Sequence, residues 1–149
     1  MYTHILVPTD GSPLSDHALE QALELAKGLG ARITVLTVIE PFQVVAYEPE
    51  QVAATRDAYE KYAREEAARR VAHANELAAN SGVAFEVVSL SADDPHEAII
   101  QAARERGCDL VAMASHGRRG IKALVLGSVT AKVLTHSDLP VLVYRPPVH

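Results

Sequence analysis

A chain of 149 residues, 48% hydrophobic but only 5% aromatic and without tryptophan, has the length of one domain, here residues 1–149, and must fill its core with aliphatic side chains. A net charge of −5 and a pI near 5.8 argue against a nucleic-acid surface, for which a basic patch would be expected. No apolar run reaches the ~20 residues that span a bilayer. The opening "MYTHILVPTD" reads as a strand rather than a signal peptide, and the single cysteine, Cys108, has no partner for an internal disulfide, so the expectation is a soluble cytoplasmic protein.

The elements alternate. "HILVP" is a short apolar strand stopped by Pro8, and "TDGSP" is the turn after it. Ser12 caps a helix whose first position is Pro13, where a missing amide donor costs nothing. Leu14, Ala18, Leu19, Ala22, Leu25 and Ala26 form its apolar stripe, and Gly28 is expected to end it. "ARITVLTVI" is a β-branched second strand. The Pro-bounded "EPFQVVAYEPE" leads into a long Ala- and charge-rich helix from about Glu50 to Asn80, stopped by Ser81-Gly82. "VAFEVVSL" is the third strand.

Asp94-Pro95-His96-Glu97 then reads as a capping box opening a helix that runs to Arg106-Gly107. "CDLVAMA" is the fourth strand, "SVTAKVLTHS" the last helix, and "LPVLVYR" the final strand. Strands alternating with helices through short links imply an α/β domain with a parallel sheet covered on both faces.

Some tempting patterns carry no chemistry. Gly28-Leu29-Gly30 follows a helix rather than a strand and lacks the third glycine of a dinucleotide fingerprint. No G-x-x-x-x-G-K-[ST] occurs, and the seven histidines lie in no metal-ligand spacing. Ser12 and Ser15 stand near Asp10 and His17, but no nucleophile-elbow pattern surrounds them, and helix capping accounts for Ser12.

Ligands of a doubly wound sheet bind beyond the carboxyl ends of its strands, where the winding reverses. "PTDGS" after strand one and "SHGRRG" after strand four occupy such ends. Gly117 lets backbone approach a ligand closely. Gly127 and Ser128 open a helix, whose unsatisfied amides and positive dipole end attract phosphate. The Ser128 and Thr130 hydroxyls could add hydrogen bonds. Arg118, Arg119 and Lys122 supply charge, and the loop carrying them is expected to be mobile until it orders over phosphates. The plain alternative is that these glycines only make a loop and cap a helix.

These segments carry a resemblance. "ILVPTDGS", "DLVAMASHGRRG", "VLGSVTAKVL" and "LPVLVYR" resemble universal stress protein signatures along essentially the whole chain. The nucleotide-binding branch of that family has G-x2-G-x9-G-[ST], which falls here on Ala114, Gly117, Gly127 and Ser128, with alanine at the first glycine. If that position needs a positive φ, alanine would cost about 1 kcal/mol or more.

The resemblance implies a five-stranded sheet in the order 3-2-1-4-5, Rossmann-like. It implies ATP binding, with Mg²⁺ or Mn²⁺ held mainly through the phosphates. Pro8, Thr9 and Asp10 would line the nucleoside side, and Val38 would read adenine through its backbone. Met113, Ala114, His116 and Gly117 would wrap ribose and the first phosphates. Gly127, Ser128, Val129 and Thr130 would hold the rest. It also implies a homodimer through Val141 to Tyr144, which forms an apolar edge strand. No residue is clearly poised to activate water, so the expected role is a stress-response sensor with slow or absent hydrolysis. Two alternatives stay open: a nucleotide-free dimeric interaction module of the same family, and a slow nucleotide hydrolase or adenylyl-transfer enzyme.

Overall fold

The structure is a computed structural model that describes residues 1–41, 49–117 and 125–147. Its elements are β1 (His4–Pro8), α1 (Pro13–Leu29), β2 (Arg32–Ile39), α2 (Pro49–Ala78), β3 (Phe85–Ser91), α3 (Pro95–Glu105), β4 (Leu110–Ala114), α4 (Ser128–His136) and β5 (Val141–Tyr144). The five strands form one parallel sheet ordered β3-β2-β1-β4-β5.

Alternation along the strands divides the core in two. Ile5 and Val7 of β1, with Ile33 and Val35 of β2, pack under α1 and the C-terminal half of α2. Leu6, Leu36, Val111 and Met113 face the other way, against α3 and α4. Helices on both faces bury the central strands, so β1 and β4 read as continuous apolar runs.

Local signals set most boundaries. The Ser12 side chain accepts the Ser15 amide at 3.2 Å, and Pro13 follows it. The helix passes through Gly28 and stops at Gly30, which takes the left-handed conformation at φ 68°. The expected stop was two residues early because Gly28 is compatible with a helical φ, whereas the turn needs its positive φ at Gly30. Leu23 and Ser15 join the buried face, while Leu14 and Leu25 are only half-buried. Asp94 precedes α3, but its side chain makes no capping hydrogen bond, so the expected capping box is absent and Pro95 opens the helix without it.

Two polar networks tie the layers together. Under α2, the buried Glu66 carboxylate holds Arg69 and Arg70, and Arg70 reaches the Thr37 hydroxyl at 3.3 Å. The Arg69 guanidinium keeps Glu66 below the usual carboxylate range. At the N-terminal end of the sheet, buried His4 Nε2 lies 2.7 Å from Thr34 Oγ1, which donates to Glu86 Oε1 at 3.0 Å. Arg106 donates to the same oxygen at 2.6 Å. Asp109 accepts the backbone amides of Thr3 and His4.

Candidate functional site

Chain winding runs from β1 outward through β2 to β3, and on the other side from β4 to β5. The reversal therefore falls between β1 and β4, and the loops after these two strands flank one crevice.

On the β1 side the Thr9 amide donates to Leu36 O at 2.8 Å, which anchors the first loop residue to β2. The Thr9 hydroxyl accepts the Gly11 amide at 3.2 Å and lies 2.9 Å from Ser15 Oγ. Asp10 Oδ1 accepts the Ser12 amide at 2.9 Å and the Ser15 hydroxyl at 3.0 Å. Gly11 completes the turn at φ 77°, a conformation open to glycine. Thr9, Ser12 and Ser15 are buried and Asp10 is half-buried, so the carboxylate sits at the edge of a fixed polar knot.

On the β4 side the backbone is equally engaged. The Ser115 amide donates to Tyr144 O at 2.8 Å, and Ser115 O accepts the Gly127 amide at 2.8 Å. A Cβ on Gly127 would stand 3.0 Å from His116 Cα, so the missing side chain is what lets the two ends of this loop close. Beyond it α4 begins with no side-chain cap. The amides of Ser128, Val129 and Thr130 occupy the first turn, where a helix supplies no acceptors and its dipole is positive. The two loops meet at Gly117: a Cβ there would lie 2.3 Å from Asp10 Oδ2. Glycine at 117 and 127 thus permits loop against loop.

Asp10 meets Gly117 across the two loops, His116 closes on Gly127 at the start of α4, and Pro8, Ala114 and, on β2, Val38 lie at or next to the carboxyl ends of their strands, with Thr9 just beyond β1. Side chains and backbone divide differently from the sequence reading. The Met113 side chain is buried in the core on the α3 and α4 face, and Val38 packs against that same cluster, so both can face a ligand only through main chain. The Thr130 hydroxyl donates to Ala114 O at 2.9 Å inside the protein. Its proton is therefore not available to a phosphate. Ala114 lies in β4, and among the described residues no non-glycine has a positive φ, so alanine carries no backbone strain there. His116 Nδ1 lies 3.3 Å from Ser115 Oγ. Arg118, Arg119 and Lys122, and with them the expected mobile loop, lie outside the described residues.

Sequence reasoning passed over two residues. Ser15 was set aside with the triad-like pattern, though its place in the first turn of α1 brings its hydroxyl to the Asp10 carboxylate. Ser115 gave no signal beyond its place beside His116. A groove of about 400 Å³ between α2 and the ends of β2 and β3, lined by Ile39, Tyr59, Arg64 and Leu90 among others, includes none of the candidate residues. Among the described residues no group of three His, Cys, Asp or Glu side chains could hold a metal ion.

Residues 1–145 match the model of the universal stress protein family. The chain belongs to that family. This universal stress protein is 34% identical over 152 residues to "Universal stress protein YxiE" of Bacillus subtilis, covering 97% of this chain and all of the relative. Among solved structures it is similar to MJ0577 of Methanocaldococcus jannaschii, with a TM-score of 0.81, 28% identity, and coverage of 100% of this chain and 99% of that one. A universal stress protein solved in complex with cAMP has a TM-score of 0.70 and 25% identity, covering 96% of this chain and 97% of that one. No helix among the described residues is long and apolar enough to cross a membrane.

Proposed function

We propose that this universal stress protein binds an adenine nucleotide, ATP by preference, in the crevice between the β1 and β4 loops and acts as a dimeric sensor in the cytoplasm. The observation that carries the reading is the uncapped first turn of α4 standing in the same crevice as the Asp10 carboxylate. Amides and a positive dipole suit phosphates. A carboxylate repels phosphate and accepts hydrogen bonds, so Asp10 belongs at the neutral, hydroxyl-bearing nucleoside end, with Pro8, Thr9 and the Val38 backbone. Met113, Ala114, His116 and Gly117 pass beneath ribose and the first phosphates. Gly127, whose amide is engaged by Ser115, contributes close approach, while Ser128, Val129 and Thr130 donate their amides. Binding by the cAMP-complexed relative supports the ligand class.

A divalent cation, Mg²⁺ or Mn²⁺, would supply charge neutralisation and be held by phosphate oxygens and water, as Mg²⁺ usually is. The sequence carries no P-loop lysine pattern, and the hydrolysis expected of this site is slow or absent. Dimerisation runs through β5, an edge strand of the sheet whose Leu142 is 37% exposed, with Leu134 of α4 exposed as well.

The test is to denature the purified protein, identify any released small molecule, and titrate the stripped protein with ATP and Mg²⁺ by calorimetry. Saturable binding at one site per chain is expected. Absence of binding would leave the interaction module standing, and metal-dependent turnover well above background would make the protein a hydrolase.

A further inference from the structure

We propose that Ser15 is a positioning residue of the crevice: its buried hydroxyl sets the orientation of the Asp10 carboxylate that a nucleotide meets. This rests on the nucleotide reading above.

Ser15 lies in the first turn of α1, where a serine hydroxyl ordinarily faces solvent or caps the helix. Here it does neither. The cap is Ser12, whose side chain takes the Ser15 amide. The Ser15 hydroxyl is left over from helix formation, yet the residue is only 3% exposed. Its oxygen lies 3.0 Å from Asp10 Oδ1, 2.9 Å from Thr9 Oγ1, 3.3 Å from Ser12 Oγ and 3.0 Å from Ser12 O.

A hydroxyl has one proton, and a carboxylate is the strongest acceptor in this group, so that proton belongs to Asp10. Ser12 Oγ then donates to Ser15 Oγ, and Thr9, already accepting the Gly11 amide, can do the same. The knot is polarised toward one carboxylate oxygen.

The consequence is directional. Oδ1 receives the Ser12 amide and the Ser15 hydroxyl, which together fix the rotation of the carboxylate. Oδ2 is thereby presented toward Gly117, at the junction of the two loops. A group fixed before ligand arrives loses little freedom on binding, and this is how a residue without ligand contact raises affinity. Helix formation alone accounts for neither the burial of Ser15 nor its aim at Asp10.

The experiment is a double-mutant cycle on ATP affinity, with Ser15→Ala, Asp10→Asn and the double variant titrated with ATP and Mg²⁺, and urea unfolding measured on each. Ser15→Ala should weaken ATP about tenfold, the scale of one hydrogen bond to a charged group. The double variant should bind no more weakly than Asp10→Asn alone, because Ser15 acts only through that carboxylate. A merely structural Ser15 would lower the unfolding midpoint and leave affinity unchanged, which overturns the proposal, as do losses that multiply in the double variant. Should Ser15→Ala fail to fold, Ser15→Cys, of similar volume and a weak donor, must show affinity below wild type while folded. Wild-type protein that binds no ATP would overturn the nucleotide reading itself, an outcome distinct from a wild type that binds and a Ser15→Ala variant that matches it.

Discussion

Gly117→Ala tests the junction of the two loops most directly. Gly117 has no positive φ, so alanine meets no backbone penalty and the effect is purely steric. The new Cβ would lie 2.3 Å from Asp10 Oδ2 and 3.4 Å from Asp10 Cγ, leaving the oxygen more than 1 Å inside ordinary contact. The carboxylate can relieve this only by swinging, and swinging breaks its bonds to the Ser12 amide and the Ser15 hydroxyl at 2.9 and 3.0 Å. A hydrogen bond to a charged group contributes about 1.5–3 kcal/mol; Asp10 is half-buried and water can replace part of what is lost, so a total near 1–2 kcal/mol is expected. Urea unfolding should show a lower midpoint at unchanged slope. In an Asp10→Ala background the same substitution should cost less than about 0.5 kcal/mol, because the group it strikes is gone. Equal costs in the two backgrounds would refute the reasoning and separate the two loops.

Three further outcomes follow from other parts of the fold. Burial, then the Arg32 charge, lowers the His4 pKa from 6.5, against a weaker opposing pull from the Arg106 carbonyl, Glu86 and Asp109. The unfolded chain therefore binds the proton more readily, so this contribution to stability is full above pH 6.5 and falls as pH drops toward the folded value; His4→Gln should flatten the stability slope below pH 6.5, and equal slopes would rule His4 out. Burial pushes the Cys108 thiol up to about 11, so iodoacetamide at pH 8 should modify it slowly in the native protein and quickly in denaturant, with fast native labelling counting against its burial. Leu142→Pro removes a backbone donor from β5 and should convert the proposed dimer to monomer in sedimentation equilibrium; a wild type that is monomeric at tens of micromolar would refute the dimer, and a dimer unaffected by the substitution would place the interface elsewhere.

Much of this protein is legible along the chain because its signals are local. Ser12-Pro13 marks the start of α1, and a helix is nucleated by what its first turn contains. Apolar runs such as "ILV" in β1 and "LVAMA" in β4 announce strands buried on both faces, and their alternation with helices implies a parallel sheet. The start of α4 was legible at Gly127-Ser128, while the spacing that joins Gly117 to Gly127 came from the family resemblance. Where a local signal was ambiguous, the reading slipped. Gly28 and Gly30 both qualify as helix stops, and the backbone turn chose the second. Asp94 has the composition of a cap without making its bond.

Only the tertiary structure decided what these residues touch. Ser15 was set aside with a triad-like pattern, and only the docking of α1 puts its hydroxyl 3.0 Å from Asp10 Oδ1. Thr130 looked like a phosphate ligand, and packing turned its hydroxyl onto Ala114 O, sixteen residues away. His96 and His136 share no spacing, yet α3 and α4 bring their rings to 5.7 Å. Gly127 was read as opening a helix, and the structure adds that a Cβ there would stand 3.0 Å from His116 Cα. The physical reason is the range of the forces. Propensity, capping and hydrophobic period act over a few residues and are written in order along the chain. A hydrogen bond or a steric contact is decided within about 3 Å in space, and only the completed sheet determines which distant residues come that close.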